Sequence, residues 1–151
     1  LRFSEEGQAL YDEDGLLAGA DIFLPNAAEA RVITACDDLD KAGRRLAQYF
    51  PIVVIKDGGN GARLFQRDDA ITLPAPEGGP VLDTTGAGDA FNAGFLVAWL
   101  AEASREQALA EGIACGTLSV RSVGGAGMRL DRADVDAMSQ NLLHSDDRID
   151  A

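Results

Sequence analysis

The chain has 151 residues, of which 46% are hydrophobic, and a formal net charge of −12 at pH 7. This length is sufficient for one domain with a real core, and the acidic balance argues against nucleic acid or an anionic membrane as the main partner, because both reward basic surfaces. No apolar run approaches the length of a membrane span, and no basic-then-apolar leader opens the chain, so a soluble cytoplasmic protein is expected.

The first half of the chain is predicted to alternate helices with short strands. Capping residues and apolar periodicity predict helices over residues 4–18, 26–33 and 37–50. Short apolar runs predict strands over residues 21–24, 52–55, 62–65 and 70–73. The unbroken run Ile-Val-Val-Ile at 52–55 is typical of a strand buried on both faces. Residues 57–61 are rich in glycine and are predicted to turn the chain into the next strand as a local hairpin.

The second half is predicted to be mainly helical. An apolar run after residue 89 predicts a buried helix, Ser104 and Gln107 predict a capping box that opens a helix through about residue 120, and residues 131–143 predict an amphipathic helix. A glycine-rich loop is expected at 124–127. Cys36 and Cys115 have no metal-like spacing and are interpreted as small buried hydrophobes. Helices in alternation with buried strands indicate an α/β fold with a mainly parallel sheet flanked by helices.

Residues 83–89 read Asp-Thr-Thr-Gly-Ala-Gly-Asp and run directly into the apolar helix. Gly86 and Gly88 flank Ala87, so the backbone can turn tightly and bring successive N–H groups together. The following helix adds free N–H donors and a partial positive charge, which makes this turn a site for an anion, most often phosphate. Asp89 would repel a bound phosphate. Its place makes sense if it takes a proton from a hydroxyl while the N–H groups hold a transferring phosphoryl group.

Three segments, taken together, resemble the ribokinase-like (PfkB) family of carbohydrate kinases. Residues 83–96 resemble its C-terminal signature, residues 24–30 its Asn-x-x-Glu segment, and residues 54–62 its strand-turn segment beside the nucleotide. The resemblance covers essentially residues 1–143 and corresponds to the nucleotide-binding, C-terminal half of such a kinase. It implies the ribokinase-like fold without the N-terminal half and lid, so that residues 1–151 are expected to be the catalytic portion of one kinase domain.

The resemblance implies transfer of a phosphoryl group from ATP to a hydroxyl of a sugar or sugar acid. Asp89 is implied as the general base that deprotonates the acceptor hydroxyl. The N–H groups of Gly86, Ala87 and Gly88 are implied as donors to the γ-phosphoryl group, stabilising charge that grows in the transition state. The positions implied to bind the nucleotide are Asn26, Lys56, Gly58, Gly61, Gly86 and Gly88.

Two metal positions are also implied by the resemblance. Glu29, together with Asn26, is implied to place Mg²⁺ and its waters near the phosphates. The second position is where some family members bind a monovalent cation such as K⁺. The matching residues here are Asp83 and Thr85, with the carbonyls of Ser119, Ser122 and Gly124. Met128 stands where a side-chain oxygen often completes that cation site, which is a departure from the family pattern.

Several alternatives stay open at the level of sequence. From spacing alone, Asn26 and Glu29 fit a simple helix start as well as a metal site, and Lys56 fits a solvated lysine at a strand end. The chain could act as a non-catalytic module that binds ATP or another anion, or as a nucleoside kinase of the same fold. No Walker A sequence occurs, which excludes the P-loop mode of phosphate binding. The expected partners are ATP and a small-molecule sugar or sugar acid, without nucleic acid or membrane, and a homo-oligomer stays open.

Overall fold

The computed structural model describes residues 19–121 and 129–146. The described residues form two compact units: a first unit of residues 19–57 and 63–72, and a second unit of residues 58–62, 73–121 and 129–146. The helix predicted at 4–18 and the glycine-rich loop at 124–127 lie outside the described residues. Within the described ranges, no helix combines the length and apolarity needed to cross a membrane.

A four-stranded sheet lies mainly in the first unit. Its strands, in spatial order, are β1 (Ile22–Phe23), β2 (Ile52–Lys56), β3 (Ala62–Gln66) and β4 (Asp69–Leu73). Strands β1 and β2 pair in parallel, with Ile22 opposite Ile52. Only Arg67 and Asp68 separate β3 from β4, and a two-residue connection requires an antiparallel pair. The sheet is therefore mixed, and the α/β class predicted from the sequence is confirmed.

Two helices, α1 (Ala27–Thr34) and α2 (Leu39–Leu46), complete the first unit. Both begin where polar caps predict. Asn26 caps α1, and the side chain of Asp38 accepts hydrogen bonds from the backbone N–H groups of Asp40 and Lys41 at the start of α2. Residues 52–55 of β2 are buried without a break, as the apolar run predicts. Val53 and Ile55 join the helices in one hydrophobic core, which is formed by Ala27, Ala30, Leu39, Leu46, Phe50, Val53, Ile55 and Phe65.

The second unit contains a 3₁₀ turn and three helices. They are the turn Gly58–Asn60 and the helices α3 (Ala87–Leu100), α4 (Arg105–Val120) and α5 (Arg132–Asp146). One face of α3 is buried, as the apolar run predicts, and includes Phe91 and Phe95. The opposite face is not buried, because Val97 is 58% and Leu100 is 80% exposed. The expectation of a buried helix therefore holds for one face of α3 only.

A buried carboxylate joins α4 to α5. Glu111 is 3% exposed, and its two carboxylate oxygens accept hydrogen bonds from Arg132 at 2.8 and 3.0 Å. The start of α4 contributes to the same network. Ser104 Oγ accepts from the N–H of Gln107, as a capping box predicts, but Gln107 Nε2 donates to Glu111 and Ser139. The side chain of Gln107 thus donates to the buried carboxylate of Glu111 and does not complete the capping box. A buried charge is more costly to leave without donors than the exposed start of a helix.

The two cysteines differ in their surroundings, and both are free thiols. Cys115 is buried in α4, as expected. The expectation for Cys36 is wrong, because this residue lies in the loop after α1 and is only partly buried. The physical reason is that α1 ends at Thr34, the next residue Ala35 is left-handed with φ 49°, and the Sγ of Cys36 then lies in the loop, 3.5 Å from the carbonyl oxygen of Asp38.

Candidate active site

Asn26 and Lys56 are neighbours at one end of the parallel strand pair. They form an isolated parallel bridge between Asn26, which lies beyond β1, and Lys56, the last residue of β2, and the N–H of Lys56 donates to the carbonyl of Pro25 at 3.0 Å. Both residues lie at the carboxyl ends of the two parallel strands, the edge at which open α/β sheets bind their ligands. Within the first unit, two of the residues predicted to bind nucleotide are therefore brought together at an edge suited to a ligand.

Asn26 and Glu29 form the capping box that their spacing predicts. Asn26 Oδ1 accepts from the N–H of Glu29, and Glu29 Oε2 accepts from the N–H of Asn26, both at 2.8 Å. The two side chains are exposed at the start of α1. One carboxylate oxygen of Glu29 is thus engaged by the helix end. The helix-start interpretation of this pair is confirmed, and its role toward Mg²⁺ stays a prediction.

Gly58 and Gly61 bracket the 3₁₀ turn in the second unit. Both have positive φ, 55° and 94°, and the N–H of Gly61 donates to the carbonyl of Gly58 at 3.0 Å. Any side chain on Gly61 would collide with the backbone of Leu73 and Pro74. Gly58 has open space around its Cα. Glycine is thus required at 61 for packing as well as for conformation, and at 58 for conformation alone.

The segment predicted to bind an anion begins a helix, α3, that has no side-chain cap. Gly86 precedes α3 in the left-handed conformation, with φ 76°, and no side chain caps the helix. The N–H of Ala87 donates to the carbonyl of Thr84 at 3.2 Å. The N–H groups of Gly88 and Asp89 have no acceptor within the described residues. This helix end therefore offers free donors and the positive end of a helix dipole to an anion.

Asp89 lies in the first turn of α3, three residues after Gly86, and its side chain is exposed. A carboxylate here stabilises an empty helix N-terminus through the dipole. The same charge opposes a phosphate bound to the adjacent N–H groups. An exposed carboxylate next to free donors is also the arrangement required of a base that acts on a group held by those donors.

The segment that leads into this helix is fixed by Asp83 and by α4. Asp83 Oδ1 accepts from the N–H of Thr85 at 2.8 Å, which closes a local turn before Gly86. The N–H groups of Leu82 and Asp83 both donate to the carbonyl of Val120, at 2.8 and 3.3 Å. The end of α4 thus positions the start of α3.

The structure describes the residues predicted to hold Mg²⁺, but only some of those predicted to hold a monovalent cation. Among the described residues, no group of three or more His, Cys, Asp or Glu side chains could hold a metal ion. Mg²⁺ in kinases is commonly held by one or two carboxylates together with substrate phosphates, so a single carboxylate such as Glu29 is compatible with it. For the monovalent cation, Asp83, Thr85 and Ser119 are described, whereas the positions at 122, 124 and 128 lie outside the described residues.

Two positioning contacts were not predicted from the sequence. Arg121, which caps the end of α4, donates from Nη2 to the carbonyl of Gly78 at 2.8 Å and holds the loop that precedes residue 83. Glu111 and Arg132 fix α5 to α4. A signal for Glu111 was available, because it is an isolated charge within an apolar stretch of a helix. The sequence offered no comparable signal for Arg121.

Comparison with known protein families gives one match that covers most of the chain. The model described as pfkB family carbohydrate kinase matches residues 5–131. Among curated proteins, an uncharacterised sugar kinase of Archaeoglobus fulgidus is 39% identical over 100 residues, covering 66% of this chain and 39% of the relative. An ATP-dependent ribose-1-phosphate kinase of Halopiger xanaduensis is 34% identical over 117 residues, covering 76% of this chain and 38% of the relative.

A solved structure gives the corresponding likeness in three dimensions. Arabidopsis thaliana ribokinase, in complex with ribose and ATP, superimposes with a TM-score of 0.74 at 30% identity, covering 83% of this chain and 42% of the ribokinase. The chain therefore has the ribokinase-like fold in part. It spans about two fifths of the length of the curated relatives described above.

Proposed function

Because the chain belongs to the pfkB family of carbohydrate kinases, we propose that it carries the nucleotide-binding and catalytic portion of an ATP-dependent kinase. The acceptor is a hydroxyl group of a sugar or sugar acid. The names of the relatives, a sugar kinase and a ribose-1-phosphate kinase, support a carbohydrate acceptor. The reaction is a displacement at the γ-phosphorus, in which the acceptor oxygen forms a bond and ADP leaves.

The observation that carries this proposal is the uncapped start of α3. After a left-handed Gly86, the N–H groups of Gly88 and Asp89 have no acceptor among the described residues, so the positively polarised donors at this helix start come from the backbone alone. Donors of this kind need no reorganisation when charge develops on a transferring phosphoryl group, so they stabilise the transition state more than the ground state. In this proposal, Gly86, Ala87 and Gly88 form the anion hole.

Asp89 acts as the general base in the same proposal. Its carboxylate accepts the proton of the acceptor hydroxyl as the hydroxyl oxygen attacks, and the developing negative charge passes to the phosphoryl group beside the N–H donors. The exposure of Asp89 in the structure supports this role, because the base must reach a substrate atom. The unfavourable effect of its charge on phosphate binding is then offset by its function in proton transfer.

Residues that contact ATP are proposed for each unit taken by itself. In the first unit these are Asn26 and Lys56, which are adjacent at the strand ends, and Lys56 would contribute a positive charge toward the phosphates. In the second unit they are Gly58 and Gly61, whose lack of side chains permits close approach of a ligand to the backbone.

The metal ions proposed for the site are Mg²⁺ and a monovalent cation. Glu29, with Asn26, would hold Mg²⁺ through one carboxylate, and the ion would supply positive charge that neutralises the phosphates. Asp83 and Thr85 would contribute to the site of a monovalent cation such as K⁺. The turn closed by their hydrogen bond supports this proposal, because it holds the backbone there in a fixed conformation.

The substitution Asp89→Asn tests the assignment of the base. In the polypeptide at its natural full length, we expect turnover with saturating sugar and ATP to fall on the order of a hundredfold or more, because proton transfer is lost. We also expect ATP to bind as tightly or more tightly, because a negative charge beside the phosphates is removed. A coupled kinase assay over a panel of sugars and sugar acids measures turnover, and calorimetry with ATP and Mg²⁺ measures affinity.

Asp134→Asn is the matched control, because Asp134 is an exposed aspartate in the first turn of another helix, α5. It should retain wild-type turnover. Wild-type turnover in the Asp89→Asn protein would contradict the proposed base. A second candidate is a module that binds ATP without catalysis, because the uncapped start of α3 offers donors to an anion whether or not a proton is transferred. ATP binding without turnover on any sugar or nucleoside would favour that module, and turnover on nucleosides alone would indicate a nucleoside kinase.

A further inference from the structure

A cavity with basic side chains, which differ in chemistry from the backbone donors of α3, lies in the first unit. A cavity of about 340 Å³ is lined by Arg44, Ala47, Gln48, Arg67 and Asp68. Two of its five lining residues carry guanidinium groups, although the chain as a whole has a net charge of −12. With one carboxylate at Asp68, the lining has a local charge of +1. Such a local excess of positive charge in an acidic chain favours an anionic ligand.

The arrangement of the cavity follows from how α2 packs on β3. Gly43 is buried in α2 against the ring of Phe65, where any side chain would collide with that ring. This close approach brings the next residue, Arg44, to the turn between β3 and β4. There its Nη1 donates to the carbonyl of Asp68 at 3.1 Å. One nitrogen of the guanidinium is thus fixed by the fold, and the group retains further donors for a ligand.

Arg67 supplies the second cation at a conformational cost. It occupies the turn with φ 55°, a left-handed conformation that is strained for residues other than glycine, asparagine and aspartate. Two-residue hairpin turns prefer those residues for the same reason. The side chain of Arg67 is exposed and has no hydrogen-bond or ion-pair partner among the described residues. A strained position that presents an unpaired cation to a cavity suggests a function rather than a structural need.

We propose that Arg44 and Arg67, beside the β3–β4 turn, form a binding site for the phosphate group of a small ligand. Arginine recognises phosphate through parallel N–H donors. A phosphate dianion can pair with two guanidinium groups, whereas a ligand with one carboxylate carries only a single negative charge. The cavity volume lies at the lower end of the range for small-molecule sites, so it has room for a phosphate monoester as well as for free phosphate. Gln48 adds an amide donor at the rim.

The test is a titration of the chain with inorganic phosphate, with a sugar phosphate and with acetate, at constant ionic strength. Backbone amide NMR signals of Gln48 and Asp68 report this site, whereas those of Gly86 and Gly88 report the donors of α3. We expect saturable shifts at Gln48 and Asp68 with both phosphates and weaker binding of acetate. Tighter binding of the sugar phosphate would identify a monoester as the ligand, and equal binding would identify free phosphate. Acetate binding as tight as phosphate, or no saturable shift at these residues, would overturn the proposal.

Substitutions separate the site from general charge effects. Arg67→Gly should weaken phosphate binding roughly tenfold or more, because a charged hydrogen-bond donor is lost. The same change should leave the midpoint of thermal unfolding unchanged or raise it, because glycine adopts the left-handed conformation without strain. Asp68→Asn should tighten phosphate binding by removing a negative charge from the lining.

Lys41→Gln is the matched control for Arg67→Gly. It removes one exposed positive charge from α2 outside the cavity, at a residue that pairs with Asp38 at 3.8 Å. Phosphate affinity should stay within about twofold of wild type, as expected for a screened surface charge. Equal weakening by Lys41→Gln and Arg67→Gly would show a nonspecific effect of net charge and would overturn the assignment to this cavity.

Discussion

At the scale of single residues, Cys115 shows how packing alters the chemistry of a side chain. It lies on α4 and faces α3, where a Cβ atom on Gly94 would come within 2.5 Å of its Sγ. Burial raises the pKa of the Cys115 thiol, the Glu111 carboxylate raises the pKa further, and Arg132 lowers it in part. The folded state therefore favours the neutral thiol over the thiolate.

This pKa shift predicts a dependence of stability on alkaline pH. The unfolded chain loses the thiol proton near the ordinary pKa of 9.0, and the folded chain loses it at higher pH. The stabilising contribution is complete below the unfolded-state pKa and is lost as pH rises through the folded-state pKa. We expect the free energy of unfolding to fall less for Cys115→Ser than for wild type between about pH 8 and pH 10.

Urea denaturation at a series of pH values measures this difference, with Cys36→Ser as the control for removal of a thiol outside the α3–α4 contact. Identical pH slopes for Cys115→Ser and wild type would contradict the prediction.

Sequence analysis predicted those contacts that join residues close together in the sequence. Asn26 and Glu29 form their capping box three residues apart, so the spacing alone is sufficient. Arg44 contacts a residue 24 positions away, and Glu111 contacts Arg132, 21 positions away. No local pattern encodes such pairs. The catalytic role of Asp89 stays a prediction, because the position of a side chain alone does not establish proton transfer.

At the scale of elements, glycines at the contact between α3 and α4 allow the two helices to pack closely. A Cβ atom on Gly94 would lie 2.5 Å from Cys115 Sγ and 2.8 Å from the carbonyl oxygen of Glu111. Gly112, on α4, faces the ring of Phe91 in the same way, with a Cβ distance of 3.0 Å. The helices therefore approach more closely than ordinary side chains permit, and this approach positions the start of α3.

The substitution Gly94→Ala is expected to destabilise the protein. The carbonyl of Glu111 belongs to the helix backbone and cannot move alone, so the two helices must separate. Overpacking of this kind costs typically about 1–3 kcal/mol, of which the higher helix propensity of alanine offsets up to about 1 kcal/mol. Urea denaturation measures the loss as a lower midpoint with an unchanged slope.

Gly116→Ala is the control within the same pair of helices. A Cβ atom there would lie 3.4 Å from the carbonyl oxygen of Ala87 and 3.5 Å from Phe91 Cβ, at the edge of ordinary van der Waals contact. Helix propensity should then dominate, and stability should be unchanged or higher. If Gly94→Ala were as stable as Gly116→Ala, the close contact would not limit the packing of α3.

Element positions were largely predictable because caps and apolar runs mark them locally. The start of α1 at Ala27 and the buried run of β2 follow directly from such signals. The exposed face of α3 could not be predicted in this way. A helix that is apolar all round carries no periodic signal that identifies the face in contact with a neighbour. The partner that covers a face is a property of tertiary packing.

At the scale of the whole molecule, the net charge of −12 opposes the binding of an anionic nucleotide. The donors proposed to hold phosphate at α3 are backbone N–H groups, which act within the first turn of the helix. The repulsion from the remaining charges acts over a longer range and is screened by salt, with a Debye length of about 10 Å at 0.1 M. Encounter with the nucleotide and final binding thus respond to different interactions.

We therefore expect the complex of ATP and Mg²⁺ to associate with the protein faster as NaCl increases from low to physiological ionic strength. Screening weakens the long-range repulsion between like-charged partners, whereas the short-range donors contact the ligand after encounter. Stopped-flow measurement with a fluorescent ATP analogue gives the rate. Adenosine, which is uncharged, is the control and should associate at a rate independent of salt. A rate for ATP that falls with salt would contradict the prediction, because it would show that a local positive field, such as that of Lys56, steers the nucleotide in spite of the net charge.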